Sequence, residues 1–193
     1  MKIDLGCGSH KSDGLIGVDI LKHPGVDIQH DLNVFPYSFA SDSVDYVQAN
    51  HVLEHVDSFI GVVEEIWRIC KNDAIVEIRC PHASCFPTVW ADPTHKRALV
   101  KNSFIHWAGA SKHIYGFKAE FEVTDVRLHF CLYQGERNGD ATTSNRMRKF
   151  GLLVDKIVNS SGRIQNIFER FLSSYIGGFE EVYFRLRVRK QMP

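Results

Sequence analysis

Five short apolar runs recur through the first half of the chain, and each ends at a turn or a polar residue. They occupy residues 2–5, 15–20, 26–30, 44–49 and 74–80. Runs of this length and composition predict strands. Between the fourth and fifth runs, apolar residues recur at helical spacing over residues 57–71, which predicts an amphipathic helix. Strand, crossover helix and strand again indicate a mostly parallel sheet covered by helices, which is the doubly wound α/β plan.

The connection between the first two predicted strands is short for this plan. Only residues 6–14 lie there, whereas a crossover helix normally needs about a dozen residues. We therefore expect the first helix to be missing or reduced to a single turn. A chain of 193 residues can bury one sizeable core, so we expect a single domain over residues 1–193.

Two segments interrupt the strand pattern in the second half of the chain. Residues 82–121 are rich in Pro, His and aromatic residues without a sustained period. They predict an insertion after the fifth strand that serves as a lid or substrate-binding segment. Strand-like runs follow over residues 122–133 and 179–190, and residues 134–178 between them predict a second insertion with a helix over residues 164–175.

Composition and charge exclude several classes of protein. The 23 Lys and Arg residues balance 23 Asp and Glu residues, which argues against a protein that wraps nucleic acid or an anionic membrane. The N-terminus shows no signal peptide, and no apolar run approaches the roughly 20 residues that span a bilayer. Five scattered cysteines indicate reduced thiols in a cytoplasmic protein. The spacing of Cys80, His82 and Cys85 does not predict a metal site.

Three successive strand ends carry the residues that we expect to bind a ligand. The first strand runs into Asp4-Leu5-Gly6-Cys7-Gly8, where glycines let a ligand approach backbone amides without interference from Cβ atoms. Asp19 ends the second strand, where a carboxylate can accept hydrogen bonds from two ribose hydroxyls, and Asp31 follows the third strand as a second acceptor. A dinucleotide fingerprint is excluded because Lys11 stands where that motif needs a glycine.

This ordered set of motifs resembles the class I S-adenosylmethionine-dependent methyltransferases. The motifs that carry the resemblance are Asp4-Leu5-Gly6-Cys7-Gly8, Asp19, Asp31-Leu32 and the segment 44–56, which contains Asn50 and His51. The likeness is strong over residues 2–81 and looser over the last two strands, the second of which would match the antiparallel last strand of the family. The segment 91–97 is similar, more loosely, to small members associated with glycan and polysaccharide biosynthesis.

The resemblance implies S-adenosyl-L-methionine as the cofactor and assigns a role to each motif. The turn with Asp4, Gly6 and Gly8 would hold the methionine end of the cofactor. The carboxylate of Asp19 would bind the ribose. The adenine would contact the carboxylate of Asp31 and the backbone amide of Leu32. Asn50 and His51 would border both cofactor and substrate.

The acceptor side is predicted to lie in the insertion. Because the cofactor is already activated, the enzyme must align the acceptor and, for a hydroxyl, remove a proton. We expect His95 to be the base and Asp92 to orient it, with Lys96 or Arg97 meeting an anionic part of the substrate. In an alternative interpretation, residues 92–95 form a capped turn and His95 only ties down backbone.

We therefore expect methyl transfer to a hydroxyl of a small molecule or a sugar. Nitrogen or carbon methylation of another metabolite is a rival that would shift the key residues to His51 or His82. A second rival is a catalytically silent subunit that binds the cofactor and regulates or scaffolds a partner. We expect neither a nucleic acid partner nor a membrane, and we allow for a homodimer.

Overall fold

The computed structural model describes residues 1–108, 115–130 and 145–190, which form a seven-stranded sheet with helices. The strands are β1 Lys2–Leu5, β2 Ile16–Asp19, β3 Ile28–Gln29, β4 Val44–Asn50, β5 Cys70–Pro81, β6 Phe121–His129 and β7 Glu181–Val188. The helices are α1 Phe59–Ile69, α2 Phe86–Trp90, α3 Asn145–Val158, α4 Gly162–Ile167 and α5 Ser173–Ile176. A short 3₁₀ turn covers Ile105–Trp107, and a π-helical turn covers Phe168–Leu172.

The strand order across the sheet is β3-β2-β1-β4-β5-β7-β6. The first five of these are parallel, and β7 is antiparallel to both β5 and β6. This confirms the predicted α/β fold with a mostly parallel sheet and an antiparallel last strand. Since β1 and β4 are central neighbours, their carboxyl ends meet at one edge of the sheet, where open α/β sheets bind ligands.

Helix α1 follows its sequence pattern closely. It begins after Ser58, whose Oγ accepts a hydrogen bond of 3.2 Å from the backbone amide of Gly61. Its buried face packs Val62, Val63 and Ile66 against the sheet. The helix ends two residues earlier than residue 71, because Cys70 is already extended and begins β5.

The connection from β1 to β2 contains no helix, as its length predicted. The chain turns at once, and the amide of Gly6 donates a hydrogen bond of 2.8 Å to the carbonyl of Val18 on β2. The helix predicted over residues 164–175 is divided into α4, the π-helical turn and α5. Residues 131–144, which include the start of the second insertion, lie outside the described residues.

The first insertion is only partly a surface segment. Phe104 and Trp107 are buried, and Phe104 contacts both Phe59 on α1 and Phe184 on β7. By contrast, Phe86 and Trp90 on α2 are 67% and 60% exposed. The part of the insertion after residue 98 therefore extends the core, and α2 is the part that faces solvent. Residues 109–114 of the first insertion lie outside the described residues.

The cysteines and the lengths of the helices bear on two of the predictions from the sequence. The cysteines in the described part of the chain, Cys7, Cys70, Cys80 and Cys85, are free thiols. Within residues 1–108, 115–130 and 145–190, no helix is both long enough and apolar enough to cross a membrane.

Candidate cofactor and acceptor site

The glycine turn after β1 depends on backbone conformations that favour glycine. Gly6 and Gly8 have φ values of 66° and 58°, in the left-handed region. A Cβ atom on Gly6 would lie 2.3 Å from Cγ2 of Val52, so this glycine lets the turn pack against the end of β4. A Cβ atom on Gly8 would meet nothing within 4 Å. Gly8 therefore leaves its face of the turn open to a ligand.

Asp4 closes the other side of this turn. Its Oδ2 accepts hydrogen bonds from the backbone amide of Ser12, at 3.0 Å, and from Nε2 of Gln48, at 3.3 Å. Gln48 also donates a hydrogen bond of 2.6 Å to Oγ of Ser12. Burial raises the pKa of the Asp4 carboxyl, although these hydrogen bonds act in the opposite direction. Asp4 therefore joins the loop to β4 in a polar network.

Asp19 links the first two strand ends. Its Oδ2 accepts a hydrogen bond of 2.8 Å from the amide of Gly8, and its Oδ1 accepts one of 2.9 Å from the amide of Leu21. The carboxylate thus stands beside the glycine turn, where the sequence predicted a ribose acceptor.

The third strand end is organised around Asp31 and Leu32. Oδ1 of Asp31 accepts hydrogen bonds from both the amide and the side chain of Asn33, at 2.9 and 3.0 Å. Leu32 is buried, and its carbonyl accepts a hydrogen bond of 2.9 Å from the hydroxyl of Tyr37. These contacts fix the loop after β3, one strand further along the sheet edge.

A cavity of about 530 Å³ lies over the carboxyl ends of β1 and β4. Its lining residues are Asp4, Gly6, Cys7, Gly8, Ser9, His10, Ser12, Gln48, Asn50 and His51. The cavity therefore brings together the glycine turn and the end of β4, as predicted. Asp19 adjoins it through Gly8, whereas Asp31 and Leu32 lie outside its lining. Ser12 and Gln48 could not be recognised from the sequence, since each is a single polar residue outside any motif.

His51, at the edge of the cavity, is held by two carboxylates. Its Nε2 lies 2.8 Å from Oε2 of Glu181 on β7, and its Nδ1 lies 3.5 Å from Oε1 of Glu54. Burial opposes the charged imidazole, but these two carboxylates outweigh it and raise the pKa of His51. Burial likewise opposes the charge of Glu181, yet His51 and Arg79 lower the pKa of that carboxyl. Sequence patterns missed both glutamates.

The predicted catalytic residues His95 and Asp92 are close but make different contacts from those expected. Nδ1 of His95 donates a hydrogen bond of 2.6 Å to the carbonyl of Val89 on α2, so this carbonyl orients the ring. Oδ2 of Asp92 lies 4.0 Å from Nε2 of His95. Oδ1 of Asp92 accepts hydrogen bonds from the amide and hydroxyl of Thr94, and these lower the pKa of Asp92.

Two other candidates from the insertion have structural contacts. Arg97 donates a hydrogen bond of 2.8 Å to the carbonyl of Leu53, which fixes the turn before α1. His82 is 1% exposed, with Nδ1 2.8 Å from Oγ of Ser84 and Nε2 2.9 Å from Oε1 of Glu169. Both ring nitrogens of His82 are therefore engaged within the protein.

Comparison with known proteins gives one family match and many similar folds. Residues 18–78 match the family model for the methyltransferase domain. No curated protein matches the chain. Among solved structures, YcgJ from Bacillus subtilis has a TM-score of 0.56 at 14% identity, covering 99% of this chain and 92% of that one. An S-adenosylmethionine-dependent methyltransferase from Archaeoglobus fulgidus has a TM-score of 0.54 at 17% identity, covering 96% and 85%.

A third similar structure contains a cofactor product. It is phosphoethanolamine N-methyltransferase 2 from Haemonchus contortus with S-adenosylhomocysteine, at a TM-score of 0.53 and 14% identity, covering 98% of this chain and 48% of that one. At such identities the likeness is one of fold. The residues of this chain also fit the cofactor, since Gly8 opens onto the cavity and Asp4 and Asp19 flank it. Residues 18–78 therefore match a methyltransferase domain, and the fold around them is that of the similar S-adenosylmethionine-dependent methyltransferases, which supports S-adenosylmethionine as the cofactor.

Proposed function

We propose that this methyltransferase acts on a hydroxyl group of a small molecule or a sugar, in the cytoplasm. The position of His95 carries the proposal. Its Nε2 lies 3.9 Å from Oε1 of Glu54, and the same oxygen lies 3.5 Å from Nδ1 of His51, which lines the cavity. His95 is thus linked to the cofactor cavity through the carboxylate of Glu54. An imidazole near the cavity suits a hydroxyl acceptor, because a hydroxyl must lose its proton to be methylated.

The cofactor would be held by the residues that the resemblance names. When bound, S-adenosylmethionine supplies a methyl group on a positively charged sulfur, already activated for transfer. The hydrogen-bonded contacts of Asp4 and Asp19 keep the glycine turn in one conformation before the cofactor arrives. The proposed cofactor-binding residues are Asp4, Gly6, Gly8, Asp19, Asp31, Leu32, Asn50 and His51.

His95 and Asp92 would prepare the acceptor. Nδ1 of His95 donates a hydrogen bond to the carbonyl of Val89. In the neutral ring the lone pair is therefore on Nε2. Asp92 would act on His95 indirectly. Its Oδ1 accepts a hydrogen bond from the hydroxyl of Thr94, and Oγ1 of Thr94 lies 2.8 Å from Nδ1 of His55. The ring of His55 in turn packs against His95, with 4.7 Å between the ring centroids.

Helix α2 supports a sugar-like acceptor. Phe86 and Trp90 are one helical turn apart and mostly exposed, and the same helix supplies the Val89 carbonyl that orients His95. Exposed aromatic rings bind the apolar face of a sugar by stacking while leaving its hydroxyls accessible. We therefore propose that this helix contacts the acceptor.

The proposal is tested by supplying S-adenosylmethionine with a ¹³C-labelled methyl group and mixed pools of sugars, glycans and small hydroxylated metabolites. The chemical shift of the transferred methyl distinguishes oxygen, nitrogen and carbon acceptors. We expect an O-methyl product that disappears with His95→Ala and persists with His23→Ala, an exposed histidine outside the site. Transfer only to nitrogen or carbon would contradict the hydroxyl proposal and support the rival metabolite methylation.

A silent regulatory subunit is less well supported. The basic residues of β7, which would offer a partner surface, are paired within the sheet: Arg185 lies 3.8 Å from Glu77, and Arg187 lies 3.7 Å from Glu122. The same pairing gives no reason to propose a nucleic acid partner. Homodimer formation remains a prediction, and the exposed apolar side chains on α3, Phe150, Leu152, Leu153 and Ile157, would suit a contact between two copies.

A further inference from the structure

Glu54 is a buried carboxylate without a close hydrogen bond. It is 0% exposed, and neither Oε1 nor Oε2 accepts a short hydrogen bond from an N–H or O–H group within the part of the chain that the structure describes. Burial of such a group is costly unless it is paired, hydrogen-bonded or bound to a metal ion. Glu54 lies in the connection between β4 and α1, three residues after His51, which lines the cavity.

The neighbours of Glu54 supply only weak or distant partners. Arg97 directs Nη1 to the carbonyl of Leu53 instead. Burial, the charge of Glu54 and a hydrogen bond to Glu54 raise the pKa of the buried Cys80 thiol, and a thiol is only a weak donor. His51 lies 3.5 Å away and is already hydrogen-bonded to Glu181 through its other nitrogen.

Two imidazoles complete the cluster, and their outer contacts fix which nitrogen is free. His95 donates its Nδ1 proton to the carbonyl of Val89, so in the neutral ring the lone pair is on Nε2, 3.9 Å from Oε1 of Glu54. The hydroxyl of Thr94 donates its hydrogen bond to Asp92, so Oγ1 of Thr94 accepts a hydrogen bond from Nδ1 of His55. In the neutral ring of His55 the lone pair is therefore also on Nε2. Lone pairs that face a carboxylate repel it unless a proton or a metal cation lies between them.

We propose that Glu54, His55 and His95 bind a divalent transition-metal ion of the Zn²⁺ class. One ligand atom from each side chain lies within 4.8 Å of the others. Ligands of a tetrahedral Zn²⁺ ion at about 2.1 Å are about 3.4 Å apart, so shifts of about 1 Å would close the site. Imidazole and carboxylate ligands together suit Zn²⁺ and its neighbours in the series.

The groups around the cluster also hydrogen-bond to the two histidines in the way that is common at metal sites. Ligating histidines usually donate their second N–H to a carbonyl or to a carboxylate chain. His95 does so to Val89, and His55 does so through Thr94 to Asp92. Asp92, which the sequence assigned to His95, would thus serve the site through His55. Three protein ligands leave a coordination position for water or an acceptor oxygen.

The first experiment measures metal binding to the chelator-treated protein without acceptor. Co²⁺ is the spectroscopic probe, and Zn²⁺ is titrated by calorimetry. We expect one equivalent of each to bind, with intense visible Co²⁺ bands typical of a site with fewer than six ligands. Glu54→Gln preserves the side-chain shape and should weaken Zn²⁺ binding by about 100-fold or more, and Thr94→Val should weaken it by about 10–100-fold by releasing His55. His23→Ala is the matched control and should bind normally.

Circular dichroism checks that each variant is folded. Should Glu54→Gln fail to fold, His55→Ala and Thr94→Val change more accessible residues and decide the question. Absence of saturable binding to the unaltered chain would overturn the proposal and indicate a proton between Glu54 and His95. Unchanged binding in the cluster variants would also overturn it, because the ligands would then lie elsewhere. A metal ion on Nε2 of His95 would occupy the lone pair that the proposed function uses as the base, so in the metal-bound protein the acceptor hydroxyl would instead be activated as a metal ligand. Since no methyl transfer is measured, failure of metal binding does not count against the proposed hydroxyl acceptor.

Discussion

The carboxylate of Asp19 accepts a hydrogen bond of 2.8 Å from the backbone amide of Gly8, and this bond ties the end of β2 to the glycine turn after β1. In most sheets of this plan a crossover helix separates these two strand ends. Here the connection contains no helix, so the carboxylate itself stabilises the turn. Asp19 would therefore serve the cofactor twice, by shaping the turn and by offering an acceptor to the ribose.

Asp19→Ala should weaken the binding of S-adenosylmethionine and S-adenosylhomocysteine by about 1–3 kcal/mol, the range for losing hydrogen bonds to a charged group. Isothermal titration calorimetry measures the change. The control is Asp13→Ala, which removes an exposed carboxylate from the same loop. Equal affinities for the unaltered chain and Asp19→Ala would show that another group binds the ribose.

The two glycines of the turn should respond differently to alanine. In Gly6→Ala the new Cβ would lie 2.3 Å from Val52, so strain and overpacking should cost about 2–5 kcal/mol of unfolding free energy. In Gly8→Ala the Cβ enters open space, so backbone strain alone should cost about 1–2 kcal/mol.

Urea denaturation compares the stability of the two variants. Gly8→Ala should nevertheless bind S-adenosylmethionine at least about tenfold more weakly, because its methyl group would point into the cavity. Such a variant, folded but impaired in binding, places the cofactor over Gly8. Normal cofactor affinity in Gly8→Ala would place it elsewhere in the cavity.

Local patterns predicted the features that depend on neighbouring residues. Short apolar runs identified β1 and β4, and apolar residues at helical spacing identified α1. The length of the β1–β2 connection predicted its missing helix. These features follow from side-chain periodicity and chain length, which are properties of short segments.

The contacts around the acceptor side could not be predicted in the same way. His51 and Glu181 are 130 residues apart and meet only because β7 inserts beside β5. Asp92 and His95 are close in sequence, yet Asp92 accepts a hydrogen bond from Thr94, and His95 donates its own hydrogen bond to the carbonyl of Val89. A carbonyl partner leaves no trace in the sequence, because every residue has one.

The indirect position of Asp92 predicts a graded effect on turnover. His95→Ala should lower kcat by about 100-fold or more, since it removes the proposed base, and should leave cofactor affinity nearly unchanged because His95 does not line the cavity. Asp92→Ala should lower kcat by only about 10-fold, because Thr94 and His55 remain. Steady-state kinetics with the identified acceptor measure both. Equal losses in the two variants would indicate that Asp92 acts on His95 directly.

A buried ion pair on α1 predicts how stability depends on pH. Glu65 accepts hydrogen bonds of 2.7 Å from the amide of Tyr37 and 2.6 Å from Nη2 of Arg68. Burial opposes the charge of Glu65, but Arg68 and the Tyr37 amide outweigh it and lower the pKa below 4.5. A carboxyl with a lowered pKa stabilises the fold above its unfolded pKa, and this stabilisation is lost as the pH falls through the folded pKa.

Glu65→Gln should therefore lower the free energy of unfolding by about 1–3 kcal/mol near pH 7. The difference from the unaltered chain should persist to about pH 5 and shrink below about pH 4.5, where Glu65 of the unfolded chain takes up a proton while folded Glu65 still resists protonation. Urea denaturation over this pH range measures it, and Asp13→Asn, at an exposed carboxyl, should show little difference at any pH. A Glu65→Gln difference that stays constant down to about pH 3 would attribute the loss to packing around Tyr37 rather than to charge.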